Sequence, residues 1–412
     1  MKIGGWTVAF VSVIQLIFHL VNMMICGAFR SFRSQPHNMR IIATLFFLAL
    51  TGLASAQDHS HRLPRALKFP DVPGYKTLKC DFHQHTVFSD GSVWPDIRVM
   101  EALMDGLDAI SLTEHLEYQP HKQDIPHPDR NRSYELAKQE AKNHDLLIVR
   151  GSEITRKMPP GHNNAIFIQD ANAMLVDDSV GVFRAAKNQG AFIFWNHPNW
   201  TSQRKDGIAT LTDMHRYLIR EGLLHGIEVV NDHTYSDEAL QIALDNNLTI
   251  MGTSDIHKLI DWEYKVPQGG HRPITLVLAK DRSIESIKEA LMQRRSIAFF
   301  KDMLIGRAEH LNPLIQASLV ISKAEYDGGS TVLKVTLENR SSTPFILRNN
   351  SRFTLHTLGD VFNVPAGGSF DIEVKTVEKL SDIRLSFEVL NAVTAPGKHP
   401  VLEWSAAISA GK

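Results

Sequence analysis

The alternation of strand-like and helix-like segments from Lys79 to about Phe300 limits the possible folds more than any other feature of the chain. The strand-like segments are short apolar runs, and the segments between them place apolar residues at helical spacing. Apolar runs of this kind are typical of strands that are covered by helices on both faces of a parallel sheet. About seven repeats can be counted, which indicates an α/β fold with a closed or nearly closed barrel.

The pattern changes after about Leu311. Short segments with period-2 alternation follow, and pairs of Gly or Asn residues separate them. The predicted strands are residues 319–324, 331–338, 345–347, 353–358, 369–375 and 383–390. We interpret residues 311–405 as a small all-β sandwich and residues 78–305 as the barrel domain, preceded by a linker over residues 57–77. The sandwich has no cluster of ligand residues, and we expect an accessory role in packing, dimerisation or carbohydrate contact.

The N-terminal region contains two apolar stretches. Arg40, an apolar run over residues 41–53 and small residues up to Ala56 are typical of a secretory signal that is cleaved after Ala56. Upstream, residues 6–29 are long and apolar enough to span a bilayer. We hypothesise that translation starts at Met39, that residues 1–56 are not part of the mature protein, and that this protein is periplasmic or secreted with no membrane contact. The alternative is a membrane anchor formed by residues 6–29.

Composition excludes some classes of partner. A hydrophobic content of 43% is enough for a sizeable core, and the net charge of -1 provides no basic field for a stable nucleic-acid complex. The two cysteines, Cys26 and Cys80, predict no structural disulfide, because the first lies in the N-terminal region. The sequence does not predict an oligomeric state.

The segment from Asp81 to Gly91 carries the first candidate site. His83 and His85 are two residues apart, so they lie on the same face of an extended strand, here predicted over residues 78–85. Asp90 follows on the loop. Two imidazoles and a carboxylate at this spacing form part of a metal site.

Further metal-ligand residue types follow the later predicted strands. They are His115, Glu153, His162, His197, Asp255 and His257. Each alone has a simpler interpretation, as a packing histidine, a loop histidine or a solvated charge. However, Asp255 and His257 repeat the spacing of the first pair, and the carboxyl ends of parallel barrel strands converge on one face. Together these residues predict a multinuclear metal site at that face.

The same motifs resemble those of the polymerase and histidinol phosphatase (PHP) family. The matching elements are HxHTxxSDG at residues 83–91, T-[DE]-H at 113–115, G-x-E at 151–153, His-Pro at 197–198 and S-D-x-H at 254–257. The resemblance covers about residues 78–300 and leaves the β-rich region uncovered. It implies a distorted (β/α)7 TIM-like barrel and up to three metals.

The resemblance also implies a ligand assignment. One metal would be held by His83, His85, Glu153 and Asp255, a second by Glu153, His162 and His197, and a third by Asp90, His115 and His257. Glu153, His197 and Asp255 would thereby also be catalytic. Glu114 stands where many members have Asp, which leaves the adjacent His115 intact. The interval between Glu153 and His162 is short.

The residue types predict the chemistry. Cations that are held by His and carboxylate attract an anionic substrate such as a phosphate ester, and two or three divalent metals activate a hydroxide as the nucleophile. Ligands without thiolate are compatible with Zn, Mn or Fe. The expected substrate is a small-molecule, sugar or nucleotide phosphoester, either mono- or diester. Two alternatives are an amidohydrolase-type metallohydrolase, which usually needs a bridging modified Lys, and a non-catalytic envelope binding module.

Candidate substrate contacts flank the predicted metal ligands. Arg156, Arg272, His121 and Lys122 are the candidates for binding a phosphate or a leaving group, and the alternative is a solvated surface charge. Trp195 and Trp200 flank His197, so that each either stacks on a sugar or base or packs at the barrel rim.

The signal-peptide interpretation makes a direct prediction. Because the small residues before Gln57 satisfy the cleavage pattern, N-terminal sequencing of the mature protein should give Gln57 as the first residue. Recovery of residues 6–29 in the mature chain would contradict the prediction and support the anchor.

Overall fold

The computed structural model describes residues 65–409. The predicted signal, the start at Met39, the alternative anchor and the first residues of the predicted linker lie outside these residues. Within residues 65–409, no helix combines the length and the apolar composition that are needed to cross a bilayer.

The first region of the described chain is mixed α/β. Its strands are β1 (Lys76–Asp81), β2 (Ala109–Leu112), β3 (Leu147–Thr155), β4 (His162–Ile166), β5 (Phe192–Trp195), β6 (Gly226–Asn231), β7 (Thr234–Tyr235), β8 (Thr249–Thr253), β9 (Ile274–Ala279), β10 (Ser296–Phe300) and β11 (Met303–Gly306). Its helices are α1 (Pro95–Met104), α2 (Arg132–Glu140), α3 (Gly181–Asn188), α4 (Asp213–Arg220), α5 (Asp237–Asp245), α6 (Ile260–Glu263), α7 (Ile284–Met292) and α8 (Ala308–Ser318).

The remaining strands form the C-terminal β region. They are β12 (Leu319–Tyr326), β13 (Val332–Asn339), β14 (Phe345–Asn349), β15 (Thr354–Leu355), β16 (Val361–Val364), β17 (Ser369–Lys375), β18 (Asp382–Val389), β19 (Ala392–Val393) and β20 (Val401–Ala407). Three short 3-10 turns, at Ala141–Asn143, Asn172–Met174 and Val266–Gln268, complete the helical structure of residues 65–409.

The α/β strands form one curled sheet in the order β19-β11-β10-β9-β1-β2-β3-β4-β5-β6-β7, with β8 also paired to β6. The predicted α/β class is confirmed, but a regular parallel (β/α)7 TIM-like barrel is not. Strand β4 is antiparallel to β3 and β5, and β9 is antiparallel to β1. The turn at residues 156–161 explains the first difference, because a parallel crossover needs a dozen or more residues.

The curl of the sheet brings β8 close to β9 and β10. Side chains of β9 and β10 form hydrogen bonds to the backbone of β8. The Thr275 hydroxyl donates to the Gly252 carbonyl at 2.8 Å and accepts from its amide at 3.0 Å, while Ser296 donates to the Ile250 carbonyl at 2.7 Å. A Cβ at position 252 would lie 2.8 Å from the Cβ of Ala298. Glycine is therefore required where these strands approach.

The C-terminal region contains two antiparallel sheets, β12-β13-β17-β15 and β16-β14-β18-β20. Their strands alternate buried and more exposed residues, as strand β18 shows along its whole length. One hydrophobic core contains buried residues of both sheets, including Leu333, Val335 and Leu337 of β13 and Phe387 of β18. The three β13 residues are two positions apart, so they lie on the same face of their sheet. The separate β-sheets agree with the prediction, although the sequence pattern did not reveal β16 or β20.

The β region is joined to the curled sheet through a strand and a shared core. Strand β19 pairs in parallel with β11, with Leu304 opposite Ala392 and Ile305 opposite Val393. Before this pairing, the Asn391 side-chain amide donates to the Asp302 carbonyl at 2.7 Å. The core that contains the sandwich residues also contains residues of α8 and of the curled sheet. The two regions are thus packed together rather than connected by an open linker.

A buried ionic network holds β1 and the segment that precedes β9. The guanidinium of Arg272 lies 3.2 Å from Asp81 Oδ2 and 2.7 Å from Asp105 Oδ2, and all three side chains are almost fully buried. Burial raises the pKa of Asp81, and the positive charge of Arg272 opposes that rise. Ser254 also donates to Asp81 at 2.6 Å, so the network extends to the end of β8.

This network predicts that the fold loses much of its stability when the guanidinium of Arg272 is removed. Arg272→Met should lower the free energy of unfolding by about 3 kcal/mol or more, because it leaves the buried carboxylate of Asp81 without its cation and leaves Asp105 with Arg65 alone. Urea denaturation measures the change. The control is Arg348→Met, which removes a half-exposed ion pair with Glu388 and should cost less than about 1 kcal/mol. Equal effects of the two substitutions would contradict the interpretation.

Candidate metal centre

The two histidines of the first motif lie just beyond the end of β1. The strand ends at Asp81 rather than at the predicted residue 85, but His83 and His85 still point to the same place, with their Nε2 atoms 3.1 Å apart. The following loop folds back, and the Gly91 amide donates to the Thr86 carbonyl at 3.0 Å. A Cβ at position 91 would lie 2.6 Å from the backbone of His85, so the turn requires glycine.

A first group of possible metal ligands consists of His83, His85 and Asp255. Asp255 Oδ1 lies 3.1 Å from His83 Nε2 and 3.2 Å from His85 Nε2. Two atoms that bind one ion at ordinary zinc distances are about 3.0–3.4 Å apart. The three donor atoms therefore have the separations that a shared cation requires.

A second group consists of His85, Asp90, His115 and His257. The two oxygens of Asp90 contact different histidines, with Oδ1 3.1 Å from His257 Nε2 and Oδ2 3.3 Å from His115 Nε2. His85 Nδ1 lies 3.6 Å from Asp90 Oδ1. This group contains the three residues that the resemblance assigns to one metal and adds His85 to them.

A third group consists of His115, Glu153 and His162. The β3–β4 hairpin places His162 opposite Thr155, which brings its Nδ1 to 3.2 Å from Glu153 Oε1 despite the short interval in sequence. His197 Nε2 lies 3.6 Å from the same oxygen. The structure thus brings all nine predicted ligands together, while their roles as ligands stay predictions.

Glu153 lies at the centre of the cluster. Its carboxylate is fully buried, contacts five of the histidines and accepts a hydrogen bond of 2.7 Å from the Asn196 side chain. Burial opposes ionisation, but the charges of His115 and His162 hold the pKa of Glu153 well below its usual range. Burial likewise tends to lower the pKa of His115, whereas Glu153 and Asp90 raise it to about 11.

The donor atoms of the cluster fit divalent cations. Asp90 Oδ1, Glu153 Oε2 and His162 Nδ1 are buried and have no aligned hydrogen-bond partner within residues 65–409. Several imidazoles face carboxylates at distances suited to a shared ion, and no thiolate belongs to the three groups described above. Such a set of neutral imidazoles and carboxylates suits Zn, Mn or Fe, and binding of a cation displaces protons from the histidines.

Glu228 is a member of the site that the sequence analysis missed. It is buried in β6 and accepts a hydrogen bond from His83 Nδ1 at 2.7 Å and one from the His197 backbone amide at 2.6 Å. Thr253 and Asn231 donate to it as well. A carboxylate on the second ring nitrogen of a ligand histidine fixes the orientation of the ring. The signal in the sequence was an acidic residue inside an otherwise apolar strand.

Glu114 supports the first motif from outside the cluster. It is buried and accepts hydrogen bonds from the Thr86 amide at 3.1 Å and the Ser89 hydroxyl at 2.5 Å. Burial raises the pKa of Glu114, and the bonds from Ser89 and Thr86 oppose that rise. The residue that departs from the family pattern therefore holds the loop between His85 and Asp90.

Two of the predicted ligands have an unusual backbone conformation. His197 has a φ of 29° and Asp255 has a φ of 49°, in or near the left-handed region that residues with a Cβ rarely adopt. Such strain is found at sites where the surrounding structure fixes the backbone. Here the His197 amide is held by Glu228, and Asn231 donates to Asp255 Oδ2 at 3.3 Å.

A cavity of about 530 Å³ opens above the cluster. The four residues predicted to bind a phosphate or a leaving group, Arg156, Arg272, His121 and Lys122, do not line it. Arg272 is buried in its ionic network, which corrects the expected role as a substrate contact. Arg156 contacts Glu117 at 2.9 Å and donates to the Val176 carbonyl.

The other residues predicted to contact substrate lie in different places, some at the surface and one in the core. His121 and Lys122 lie in a turn that does not line the cavity, and their predicted role remains untested. Trp195 is fully buried and stacks on His215 with 3.9 Å between the ring centroids, so it packs in the core. Trp200 lines the cavity, and its ring centroid lies 5.1 Å from that of His197.

Comparisons with known proteins match both regions of the chain. A family of Ig-like domains matches residues 319–405. A crystal structure of a two-domain protein from Bacteroides vulgatus, containing a predicted PHP-like metal-dependent phosphoesterase, is 43% identical, with a TM-score of 0.77. The match covers 83% of this chain and 98% of that protein.

A curated relative gives a shorter match. An uncharacterized protein of Methanocaldococcus jannaschii is 34% identical over 85 residues, which is 20% of this chain. The match spans 36% of the length of that relative.

The contacts of Glu228 predict an effect on metal affinity. Glu228→Gln should weaken metal binding about tenfold to a hundredfold, because the amide cannot serve both the His83 ring and the His197 amide as the carboxylate does. Equilibrium dialysis with elemental analysis measures the affinity. Glu238→Gln on α5 is the control, since that residue lies outside the three groups. Unchanged affinity in Glu228→Gln would show that the carboxylate does not orient these ligands.

Proposed function

Because this chain belongs to the PHP family of metal-dependent phosphoesterases, we propose that it is an exported hydrolase that cleaves a phosphate ester at a multinuclear metal site. The observation that carries the proposal is the convergence of nine histidine and carboxylate side chains, with Glu153 at their centre, beneath an open cavity. Mono- and diesters both remain candidate substrates.

The proposed roles follow from the contacts. His83, His85 and Asp255 would hold one cation, and Glu153 would connect this position to a second one near His162 and His197. A third would lie near Asp90 with His115 and His257. Bound divalent cations lower the pKa of water and neutralise charge on phosphoryl oxygens.

The chain itself contributes orientation and charge. Glu228 fixes the His83 ring, and Asn196 holds one oxygen of Glu153. The charges of histidines offset the buried Glu153 carboxylate, and a bound cation would take over that role as the histidines lose their protons. The phosphate would enter from the cavity side, where His162 and His257 are partly accessible.

Export and the accessory role of the Ig-like region belong to the same proposal. The signal-like sequence that ends at Ala56 supports export. The core shared by the β region and the curled sheet supports a packing role for the Ig-like region.

The proposal predicts that metal and activity are lost together. His83→Ala should remove metal and reduce phosphate release at least about a thousandfold, because the ring belongs to the first group of ligands. The assay uses metal-depleted protein with added Mn or Zn on p-nitrophenyl phosphate, its diester analogue and an amide panel.

The control is His356→Ala, an exposed histidine of the β region, which should keep full activity. Full activity in His83→Ala without bound metal would refute the mechanism. Hydrolysis of amides but not of phosphate esters would instead favour the amidohydrolase alternative.

A further inference from the structure

The wall of the cavity above the metal centre is polar, and apart from the histidines of the centre it contains no basic side chain. Among the described residues that line the cavity, none is Lys or Arg. Cations in the centre would neutralise one phosphate, while a second phosphate or a polyanionic chain would lack a positive partner on the wall. The cavity therefore suits a substrate with a single phosphate group.

An exposed indole stands beside the centre. Trp200 is 43% exposed, and its ring centroid lies 5.6 Å from that of His162 and 5.1 Å from that of His197. A large apolar ring that faces an open polar cavity gives a ligand a flat surface on which to stack. It is the one aromatic residue other than histidine among the described lining residues.

Hydrogen-bonding side chains line the same cavity as the indole. Asn199, Thr201, Asp232 and Thr234 also line the cavity. Amide, hydroxyl and carboxylate groups of this kind can each donate to or accept from a ligand hydroxyl. Asp232 accepts a hydrogen bond of 3.1 Å from the Tyr264 hydroxyl, which holds its carboxylate in place.

From this wall we propose that the leaving group is a sugar or another uncharged polyol, an inference that rests on the proposed function. A sugar ring presents an apolar C–H face to an indole and a rim of hydroxyls to amide, hydroxyl and carboxylate groups. Hydrolysis forms a bond between phosphorus and the oxygen of a water molecule and breaks the bond between phosphorus and the sugar oxygen. That oxygen takes a proton, which yields the free sugar and inorganic phosphate.

The substrate class is tested with a panel of esters on metal-loaded protein. The panel contains glucose 1-phosphate, glucose 6-phosphate, a nucleoside 5′-monophosphate, a sugar bisphosphate, phosphoethanolamine and p-nitrophenyl phosphate. The hexose monophosphates should give the highest kcat/KM among the biological esters. A higher value for the nucleotide, the bisphosphate or the amino alcohol would overturn the inference and leave the proposed function intact. If none of these esters is hydrolysed, the inference is overturned, and the proposed function is overturned with it only if the diester analogue of p-nitrophenyl phosphate is not hydrolysed either.

The role of the indole is tested by substitution. Trp200→Ala should lower kcat/KM for the hexose phosphates about fivefold to tenfold through KM, and Trp200→Phe should restore some of the loss. The control is Trp262→Ala, which removes an indole that is 75% exposed and does not line the cavity. An equal loss in Trp262→Ala would overturn the assignment of Trp200.

A binding measurement gives a readout that is independent of turnover. Saturation-transfer NMR with glucose and inorganic phosphate should show transfer to the sugar C–H protons. The signal should disappear in Trp200→Ala and persist in Trp262→Ala. Equal signals in the two variants would overturn the stacking contact.

Discussion

The buried carboxylate of Glu153 is the contact on which the rest of the site depends. It lies within 4 Å of five histidines that come from four segments of the chain. A fully buried carboxylate is costly unless charges and donors surround it, so the fold must keep these groups in position. Glu228 is a second buried carboxylate that is surrounded by hydrogen-bond donors. Its hydrogen bonds connect residues at the ends of β1, β5, β6 and β8.

The sequence was most informative where a pattern is local. The spacing of His83 and His85, the alternation of strands and helices and the period-2 pattern after Leu311 all predicted features that the structure contains. The convergence of the predicted ligands followed from one rule about the carboxyl ends of strands. This rule succeeded even though β4 and β9 run antiparallel, since the ligands still meet around Glu153.

The missed features depend on contacts between residues that are distant in sequence. The burial of Arg272 follows from Asp81 and Asp105, which no local pattern connects to it. Glu228 stood out only as an acid in an apolar strand, and its partners come from three other strand ends. The direction of the strands could not be predicted from the sequence pattern either, because apolar runs look alike in parallel and antiparallel strand pairs.

The pairing of β11 with β19 has a consequence for biosynthesis. The edge of the curled sheet at Leu304 and Ile305 is completed by Ala392 and Val393, which leave the ribosome only after most of the Ig-like region has been made. Until then β11 presents unpaired backbone groups, a common starting point for aggregation. This edge of the curled sheet can therefore be completed only late in synthesis.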